Sequence, residues 1–358
     1  MKRIKDSLEA EQKNENDLAS GLLLPAFILH PSSFRLHAAG FMRACAACTL
    51  MVCTAAALAQ PYPSRAVRVV IPFAPGGGTD NLTRIMAPRL TELLGQQILI
   101  DNRPGASGQI GTELAARAAS DGYTIVHVDT SFTSNPSLYR KLPYDSVKDF
   151  APISVLASAP VVLMIHPSVP ATSLKELIAF AKARPGELNF ATGGTGSATH
   201  LGVELFKSAA GLDLVHIPYK GSRPAAAAVL AGHVVMTFAS PSATVQHVAA
   251  GKLRALAVTG DKRNVAMPQV PTFVESGVRG VDSGTYWVSL APAGTPREVI
   301  VTLHNAMAKV LQLPDIRQRL TALGFEPIAG SPEEAAAYIR DAITKWARVV
   351  AQAKIRAE

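Results

Sequence analysis

Three Gly-rich turns, at residues 74–79, 105–108 and 193–197, limit the fold more than any other feature of the sequence. Each turn follows a short apolar run and precedes a stretch whose apolar residues recur at helical spacing. This order of strand, glycine turn and helix is typical of α/β proteins whose sheets are mostly parallel. In such a sheet the turns lie at the carboxyl ends of the strands, which is where ligands bind.

The alternation of apolar runs and amphipathic stretches continues along the chain. Capping boxes that begin at Ser173 and Ser331 each place a Glu three residues later and mark two helix starts. We expect strands at 67–73, 98–101, 123–128, 160–165, 189–192, 213–217, 234–239, 253–258 and 286–290. We expect helices at 110–119, 174–183, 198–210, 223–231, 243–250, 296–312, 314–323 and 332–352, besides one after the first turn that Pro88 kinks.

The size and composition of the chain indicate two domains. Of its 358 residues 48% are hydrophobic, which is enough apolar material for more than one core. The sequence contains no internal repeat and no low-complexity linker. We therefore expect two lobes that are joined by several chain crossings.

The N-terminal region has the composition of an export signal. Met42 precedes an arginine and an uncharged stretch that ends in Ala-Leu-Ala at 57–59. A basic start, a short apolar core and small residues at the exit predict a cleavable signal peptide at 42–59, with cleavage before Gln60. An uncleaved anchor is the alternative, although the stretch is shorter than the roughly 18 residues of a spanning helix. Residues 1–41 form an N-terminal extension that a start codon at Met42 would remove.

All three cysteines, Cys45, Cys48 and Cys53, fall within the predicted signal peptide. The spacing of the first two matches a redox or metal pair, but we interpret all three as small apolar residues of the signal. The exported chain would then contain no cysteine, which excludes disulfides and thiol catalysis.

Charge and motifs argue against nucleic-acid, nucleotide and metal chemistry. The net charge of +8 is spread along the chain, and no basic run with interleaved aromatic residues marks a nucleic-acid surface. The first turn departs from the G-x-G-x-x-G fingerprint at Asn81, and the turn at 193–197 lacks the lysine of a P-loop. The nine histidines show no metal-ligand spacing. We expect no metal, no cofactor and no nucleic-acid partner.

Each Gly-rich turn taken alone is typical of an ordinary tight turn, but three of one kind in one chain favour a receptor for a small carboxylate. Each turn is expected to present free backbone N–H groups and the positive end of a helix, and glycine lets a ligand approach the backbone closely. Two other functions stay open. A secreted α/β hydrolase would use Ser197 and His200, which lie three residues apart on one helix, but no G-x-S-x-G elbow or orienting acid accompanies them. We favour a packing or capping role for His200. The third possibility is a structural or adhesive surface protein.

The order of several motifs resembles that of the Bug (TctC-like) receptors, the solute-binding proteins of the tripartite tricarboxylate transporter family. The similarity covers residues 62–352. It is carried by segments such as IPFAPGGGTD at 71–80, DNRPGA at 101–106, NPSLY at 135–139, KDFAPI at 148–153, HIPYKG at 216–221 and APAGTP at 291–296.

This resemblance implies a type II periplasmic-binding-protein fold, in which two α/β lobes enclose a ligand cleft. Lobe 1 would comprise 62–160 and 288–358, and lobe 2 would comprise 161–287. The family implies a periplasmic receptor, not an enzyme, whose ligands are dicarboxylates, tricarboxylates, acidic amino acids or aromatic acids. For this chain we expect a di- or tricarboxylate or an aromatic acid. Its partners would be the integral membrane subunits of a transporter, or alternatively a sensor kinase.

The resemblance also implies which residues bind the ligand. The family holds carboxylates mainly through backbone amides, small hydroxyl groups and water. Carried over to this chain, the ligand-binding residues are Phe73, Ala74, Gly76, Gly77, Thr79, Asp80, Thr130, Ser131, Thr192, Gly194, Thr195, Gly196, Ser197, His200, Tyr219 and Lys220. Val235 and Ala239 stand where the family usually has acids. If those acids reach the cleft in relatives, this cleft is less negative, which argues against amino-acid ligands.

Overall fold

The computed structural model describes residues 62–352 together with Ile355. The predicted signal peptide at 42–59 and the predicted extension at 1–41 lie outside these residues, as do the three cysteines, so these assignments stay predictions. Among the described helices, none has both the length and the apolar character that crossing a membrane requires.

Strands and helices alternate over the described chain. The strands are β1 (Val67–Ile71), β2 (Ile98–Asn102), β3 (Thr124–Val128), β4 (Phe150–Pro160), β5 (Val162–Ile165), β6 (Asn189–Thr192), β7 (Val215–Pro218), β8 (Met236–Ala239), β9 (Arg254–Val258), β10 (Gly284–Pro292) and β11 (Glu326–Gly330). The helices are α1 (Gly78–Leu94), α2 (Gln109–Ala116), α3 (Ser131–Leu138), α4 (Leu174–Lys182), α5 (Ala198–Ala210), α6 (Ser222–Leu230), α7 (Pro241–Ala249), α8 (Arg297–Gln312), α9 (Pro314–Ala322) and α10 (Pro332–Gln352).

The strands form two sheets. The first has the order β11-β4-β10-β3-β1-β2 and the second the order β7-β6-β8-β5-β9. In the first sheet β1 to β4 run in one direction, and β10 and β11 run against them. In the second sheet only β5 runs against the others. The predicted parallel arrangement therefore holds for the direction of most strands. The pairings are mixed, because β10 and β5 lie inside their sheets.

The described chain passes between the sheets at two places. β4 ends at Pro160 in the first sheet and β5 begins at Val162 in the second. The chain returns between the end of β9 and the start of β10 at Gly284. The strand predicted at 160–165 is confirmed from Val162 onward as β5, but Pro160 belongs to β4, because the chain changes sheets at Val161. The lobe boundary predicted between 287 and 288 falls inside β10.

Helices cover both faces of each sheet, which explains why the central strands are nearly continuous apolar runs. In the first sheet, one core packs against α1, α8 and α9, and the other packs against α3 and α10. In the second sheet, α4 and α5 cover one face and α6 and α7 the other. β5 shows the result most clearly, since all four of its residues are buried. Because helices cover the sheet faces, the loops at the strand ends are where the two sheets can face each other.

Three elements of the structure were not predicted from the sequence, namely β4, α3 and β11. The helix α3 is made largely of Ser, Thr and Asn and contains Pro136, so it has no apolar helical period. The strand β4 contains Pro152 and Pro160, and proline normally argues against a strand inside a sheet. Tertiary packing decides the structure in both places.

Candidate functional site

Loops from the two sheets face each other across a cleft. The first loop, residues 72–77, links β1 to α1, and the second loop, residues 193–197, links β6 to α5. Both loops follow the carboxyl ends of parallel strands, as expected. Hydrogen bonds join the two sides directly. The Ala74 N–H donates to the Lys220 carbonyl at 3.1 Å, and the Ser134 hydroxyl donates to the Gly196 carbonyl.

The cleft holds two chambers. The inner chamber has a volume of about 30 Å³ and is lined by Phe73, Gly77, Gly78, Thr79, Asp129, Gly193, Ser197, Ala198, Thr199, Gly221, Ser222, Ser240, Thr285 and Trp287. The outer chamber has a volume of about 240 Å³ and is lined by Pro72, Phe73, Gly105, Ala106, Ser107, Gly108, Gly193, Gly194, Thr195, Pro218, Tyr219 and Lys220. Phe73 and Gly193 belong to both linings, so the chambers adjoin.

Four helix starts contribute to the inner chamber. α1 begins at Gly78 and α5 at Ala198, while Ser222 begins α6 and Ser240 caps α7. First-turn N–H groups have no partner within their own helix, and the helix dipole places positive charge there. The described residues that line this chamber include no Lys or Arg. Its attraction for an anion therefore comes from backbone groups and hydroxyls.

Asp80 shapes the first loop without lining either chamber. Its carboxylate accepts hydrogen bonds from the Gly76 N–H at 2.8 Å, from the Arg84 guanidinium at 2.8 Å and from the Asn102 amide at 3.0 Å. Burial opposes the charge, but these hydrogen bonds outweigh burial and hold the pKa of Asp80 below its ordinary value. The Asp80 carboxylate thus fixes the conformation of the first loop by accepting the Gly76 N–H.

Trp287 explains why glycine stands at position 78. A Cβ atom added to Gly78 would lie 2.5 Å from Cζ2 of the indole. The indole N–H of Trp287 donates to the Thr79 hydroxyl oxygen at 3.0 Å. Trp287 comes from β10, so the first helix turn and the returning strand together form one wall of the inner chamber.

The second loop is held by neutral groups. The Ser197 hydroxyl donates to the Gly194 carbonyl at 2.7 Å, and the Gly193 N–H donates to the Thr199 hydroxyl at 2.9 Å. The Gly196 N–H donates to Nδ1 of His200 at 3.1 Å. Several loop N–H groups are thus already paired, contrary to the expectation that the Gly-rich turns present them free. The donors left to a ligand are chiefly those of the first helix turns.

His200 lies beneath the second loop and stacks on His216, with 4.1 Å between the ring centroids. Burial, and then the neighbouring His216 and Lys207, lower the pKa of His200 to about 3. Burial together with Lys207 lowers the pKa of His216 to about 4. Both rings are therefore neutral over most of the pH range, and a neutral ring can accept the Gly196 hydrogen bond.

Ser197 and His200 are not arranged as a nucleophile and its base. The Ser197 hydroxyl points to a carbonyl, and it accepts its bond from the His200 backbone N–H at 3.3 Å, not from the ring. Nδ1 of the imidazole is occupied by Gly196. The nearest acid to Nε2 is Glu204, at 3.8 Å. These contacts match the capping and packing roles that the sequence favours.

The structure distributes the predicted site residues over three environments. Phe73, Gly77, Thr79 and Ser197 line the inner chamber. Phe73 again, Gly194, Thr195, Tyr219 and Lys220 line the outer chamber. The residues that line neither chamber are Ala74, Gly76, Asp80, Thr130, Ser131, Thr192, Gly196 and His200.

Residues of this third group support the loops. The Thr130 hydroxyl bridges to the start of β10, since it donates to the Gly284 carbonyl and accepts from the Tyr286 N–H. Ser131 bonds to Asp129, and Thr192 bonds to His216. These residues support the loops of the cleft without lining either chamber.

Sequence reasoning missed part of each lining. Gly78 and Gly193 belong to the Gly-rich turns that the sequence singles out, although neither is among the ligand-binding residues that the resemblance implies. The missed residues of the inner chamber are Asp129, Ala198, Thr199, Gly221, Ser222, Ser240, Thr285 and Trp287. Several directly follow a predicted strand or begin a predicted helix, so the rule that placed the Gly-rich turns could have found them. Arg223 was also missed. Its side chain lies against Gly76, where an added Cβ would overlap it.

Val235 and Ala239 lie away from the chambers. Val235 precedes β8 and bonds to Asn189, and the buried Ala239 belongs to the core of the second sheet. Neither is among the residues that line the cleft. The reservation about amino-acid ligands therefore has no support from these two positions.

Comparison with known families decides the relationship. The model of the tripartite tricarboxylate transporter family receptor, TctC, matches residues 82–355. The chain belongs to the TctC receptor family. This confirms the resemblance on which the sequence analysis drew, and it shows a family of receptors that bind solutes.

Solved TctC-like structures match along nearly their whole length. The periplasmic binding protein BugD is 34% identical, with a TM-score of 0.80 over 83% of this chain and 100% of BugD. Rpa4515 of R. palustris, solved with adipate, is 37% identical, with a TM-score of 0.80 over 82% of this chain and 99% of its own. MatC (Rpa3494) from Rhodopseudomonas palustris, with bound malate, is 32% identical, with a TM-score of 0.77 over 81% and 100%. The predicted periplasmic-binding-protein fold is confirmed.

Proposed function

We propose that this protein is a periplasmic receptor, not an enzyme, that captures a small carboxylate and delivers it to the integral membrane subunits of a tripartite tricarboxylate-type transporter. The observation that carries the proposal is the convergence of four helix starts on an inner chamber whose lining has no Lys or Arg. Such a chamber favours an anion without a side-chain counter-charge. The ligand class that we propose is a di- or tricarboxylate or an aromatic acid, and the adipate of Rpa4515 and the malate of MatC support its dicarboxylate members.

In this proposal the ligand carboxylate accepts hydrogen bonds from the first turns of α1 and α5. Gly78 and Thr79 supply N–H groups from one side, and Ala198 and Thr199 supply them from the other. Each charge-assisted hydrogen bond contributes about 1.5–3 kcal/mol. The rest of the ligand extends into the outer chamber, which is the larger of the two and has Lys220 in its lining.

Ligand entry requires the two sides of the cleft to separate. A chamber of about 30 Å³ is close to the size of one water molecule. The bonds from Ala74 to Lys220 and from Ser134 to Gly196 would break on opening. The two chain crossings, at Val161 and ahead of Gly284, supply a hinge. Small-angle scattering should show compaction on ligand addition, and an unchanged radius at saturation contradicts the hinge.

A thermal-shift screen tests the ligand class. Each acid is paired with its neutral amide, for example succinate with succinamide, adipate with adipamide and benzoate with benzamide. We expect at least one acid to raise the melting temperature while its amide does not, because only the acid brings the charge that the helix starts attract. Hits are then confirmed by calorimetry. A screen in which no acid acts, or in which amides act equally, contradicts the carboxylate proposal.

Export is tested separately. The predicted signal peptide at 42–59 would be removed before Gln60, so the periplasmic fraction should yield a chain that begins at or next to that residue. Recovery of an uncleaved product from the cytoplasm contradicts periplasmic localisation.

A further inference from the structure

Asp129 is the only ionisable side chain among the described residues that line the inner chamber. It follows β3, which lies between β10 and β1 in the first sheet, and it lines the inner chamber from that strand end. Thr285 and Trp287 of β10 line the same chamber beside it. An acid at this position faces whatever the chamber binds.

The hydrogen bonds of Asp129 leave one oxygen available. The Ser131 N–H and the Ser131 hydroxyl both donate to Oδ1, at 2.9 and 2.6 Å. Within the described residues, no hydrogen bond to Oδ2 and no ion pair of this carboxylate is found. Burial raises the pKa of Asp129, although the Ser131 bonds oppose that shift. The carboxyl group therefore lacks a cationic partner in a place where charge is costly.

Several other polar side chains of the chamber are already engaged with protein groups. The Trp287 indole donates to Thr79, and the Ser197 hydroxyl donates to the Gly194 carbonyl. A ligand carboxylate is served by the first-turn N–H groups, and it would be repelled by an ionised Asp129 at close range. The group that fits beside Asp129 is thus a donor, and a positively charged donor would also compensate its charge.

We propose that Asp129 determines specificity by accepting a hydrogen bond from an ammonium or hydroxyl group that the ligand carries beside its carboxylate. This inference rests on the proposed function, because it assumes that the carboxylate lies at the helix starts. It narrows the ligand class from plain acids to amino or hydroxy acids.

The test is a set of matched acids that differ only in the group on one carbon. Suitable sets are succinate, malate and aspartate; glutarate, 2-hydroxyglutarate and glutamate; and phenylacetate, mandelate and phenylglycine. Affinities are measured by calorimetry at one pH. In the set that binds, we expect a donor-bearing acid to bind at least about tenfold more tightly than the unsubstituted one. The amino and hydroxy members show which donor is preferred.

Variants connect the preference to Asp129. Asp129→Ala removes both oxygens that could accept from the ligand, and it should reduce the preference to less than about threefold. Ser131→Ala keeps the carboxylate and should retain the preference. Asp213→Ala, at an exposed position outside both linings, is the matched control for loss of one carboxylate and should behave like the unaltered protein.

The outcomes distinguish a failure of the role of Asp129 from a failure of the carboxylate function. If the unsubstituted acid binds as tightly as its donor-bearing partners, or if Asp129→Ala retains the preference, the role of Asp129 is overturned and the carboxylate function stands. If no acid of any set binds, the carboxylate function itself fails. The series on the unaltered protein decides the matter even if Asp129→Ala does not fold.

Discussion

The two Gly-rich loops lie opposite each other in the cleft, yet they are stabilised by different chemistry. In the first loop a buried carboxylate, Asp80, accepts the Gly76 N–H and is itself held by Arg84 and Asn102. In the second loop the corresponding bonds go to hydroxyl groups and to the neutral ring of His200. One loop therefore depends on a charge that stays ionised, and the other depends on a ring that stays neutral.

The comparison also shows what the glycines do. In both loops the glycine N–H groups bond largely to side chains of the helix that follows, so the glycines shape the loop more than they bind a ligand. Gly76 and Gly196 have φ values of 81° and 79°, a conformation that favours glycine. The ligand donors come from the first helix turns behind the loops.

The largest effect is expected at Gly78, where the first loop enters α1. Gly78→Val would drive a side chain into Trp287 and break the bond between its indole and Thr79. We expect a loss of about 3–4 kcal/mol in the free energy of unfolding, together with loss of ligand binding. Gly77 is the matched control. It has φ of −77°, and an added Cβ would lie 3.6 Å from the nearest atom, the Ala74 carbonyl oxygen. Gly77→Ala should cost less than about 1 kcal/mol in urea unfolding, and equal costs at both positions contradict the role of Trp287.

Gly78 also marks how far the sequence could predict this site. Apolar periodicity and capping residues placed most strands and helices, because both signals are local. The partner of Gly78 comes from β10, more than 200 residues further along the chain, as the separation of Trp287 and Thr79 shows. No local signal reports such a contact. Asp129 was missed for a different reason, since it follows an ordinary strand end without glycines, and α3 behind it has no helical period.

The next largest effect is expected from the charged support of the first loop. Asp80→Ala removes the acceptor of three hydrogen bonds, so the Gly76 N–H loses its partner and the Asn102 amide nitrogen keeps only its bond to the Phe73 carbonyl. We expect a loss of about 3 kcal/mol in the free energy of unfolding. Asp80→Asn retains an acceptor and should cost less. The measurement is urea unfolding of both variants, and a loss below about 1 kcal/mol for Asp80→Ala means that the loop does not depend on this carboxylate.

Acid should weaken the second loop before the first. The pKa of His200 is about 3 in the folded protein and ordinarily 6.5, so the unfolded chain binds the proton first as the pH falls. Its contribution to stability is complete above pH 6.5 and is lost progressively from there toward pH 3, by at most about 1.4 kcal/mol per pH unit. His216 and the buried His127 act in the same direction.

The histidines are separated by substitution. His200→Gln cannot take up the proton. The slope of the unfolding free energy against pH between 6.5 and 5 should therefore fall by the amount that one histidine contributes. His233→Gln is the control, because His233 is exposed. If the two variants have the same slope, His200 does not link this loop to pH.

The smallest effect is expected at Lys220, the only Lys or Arg among the ligand-binding residues that the resemblance implies. Lys220 lines the outer chamber and its side chain is exposed, while its backbone carbonyl accepts the Ala74 N–H. Substitution to alanine leaves that backbone bond intact, and an exposed charge contributes about 0–1 kcal/mol. Lys220→Ala should therefore weaken carboxylate binding less than about fivefold, and the loss should shrink further as salt is added. Lys175→Ala, on the exposed side of α4, controls for the change in net charge. Calorimetry at two ionic strengths measures the difference. If Lys220→Ala abolishes binding while Lys175→Ala does not, a single cation holds the ligand, and the helix starts of the inner chamber do not.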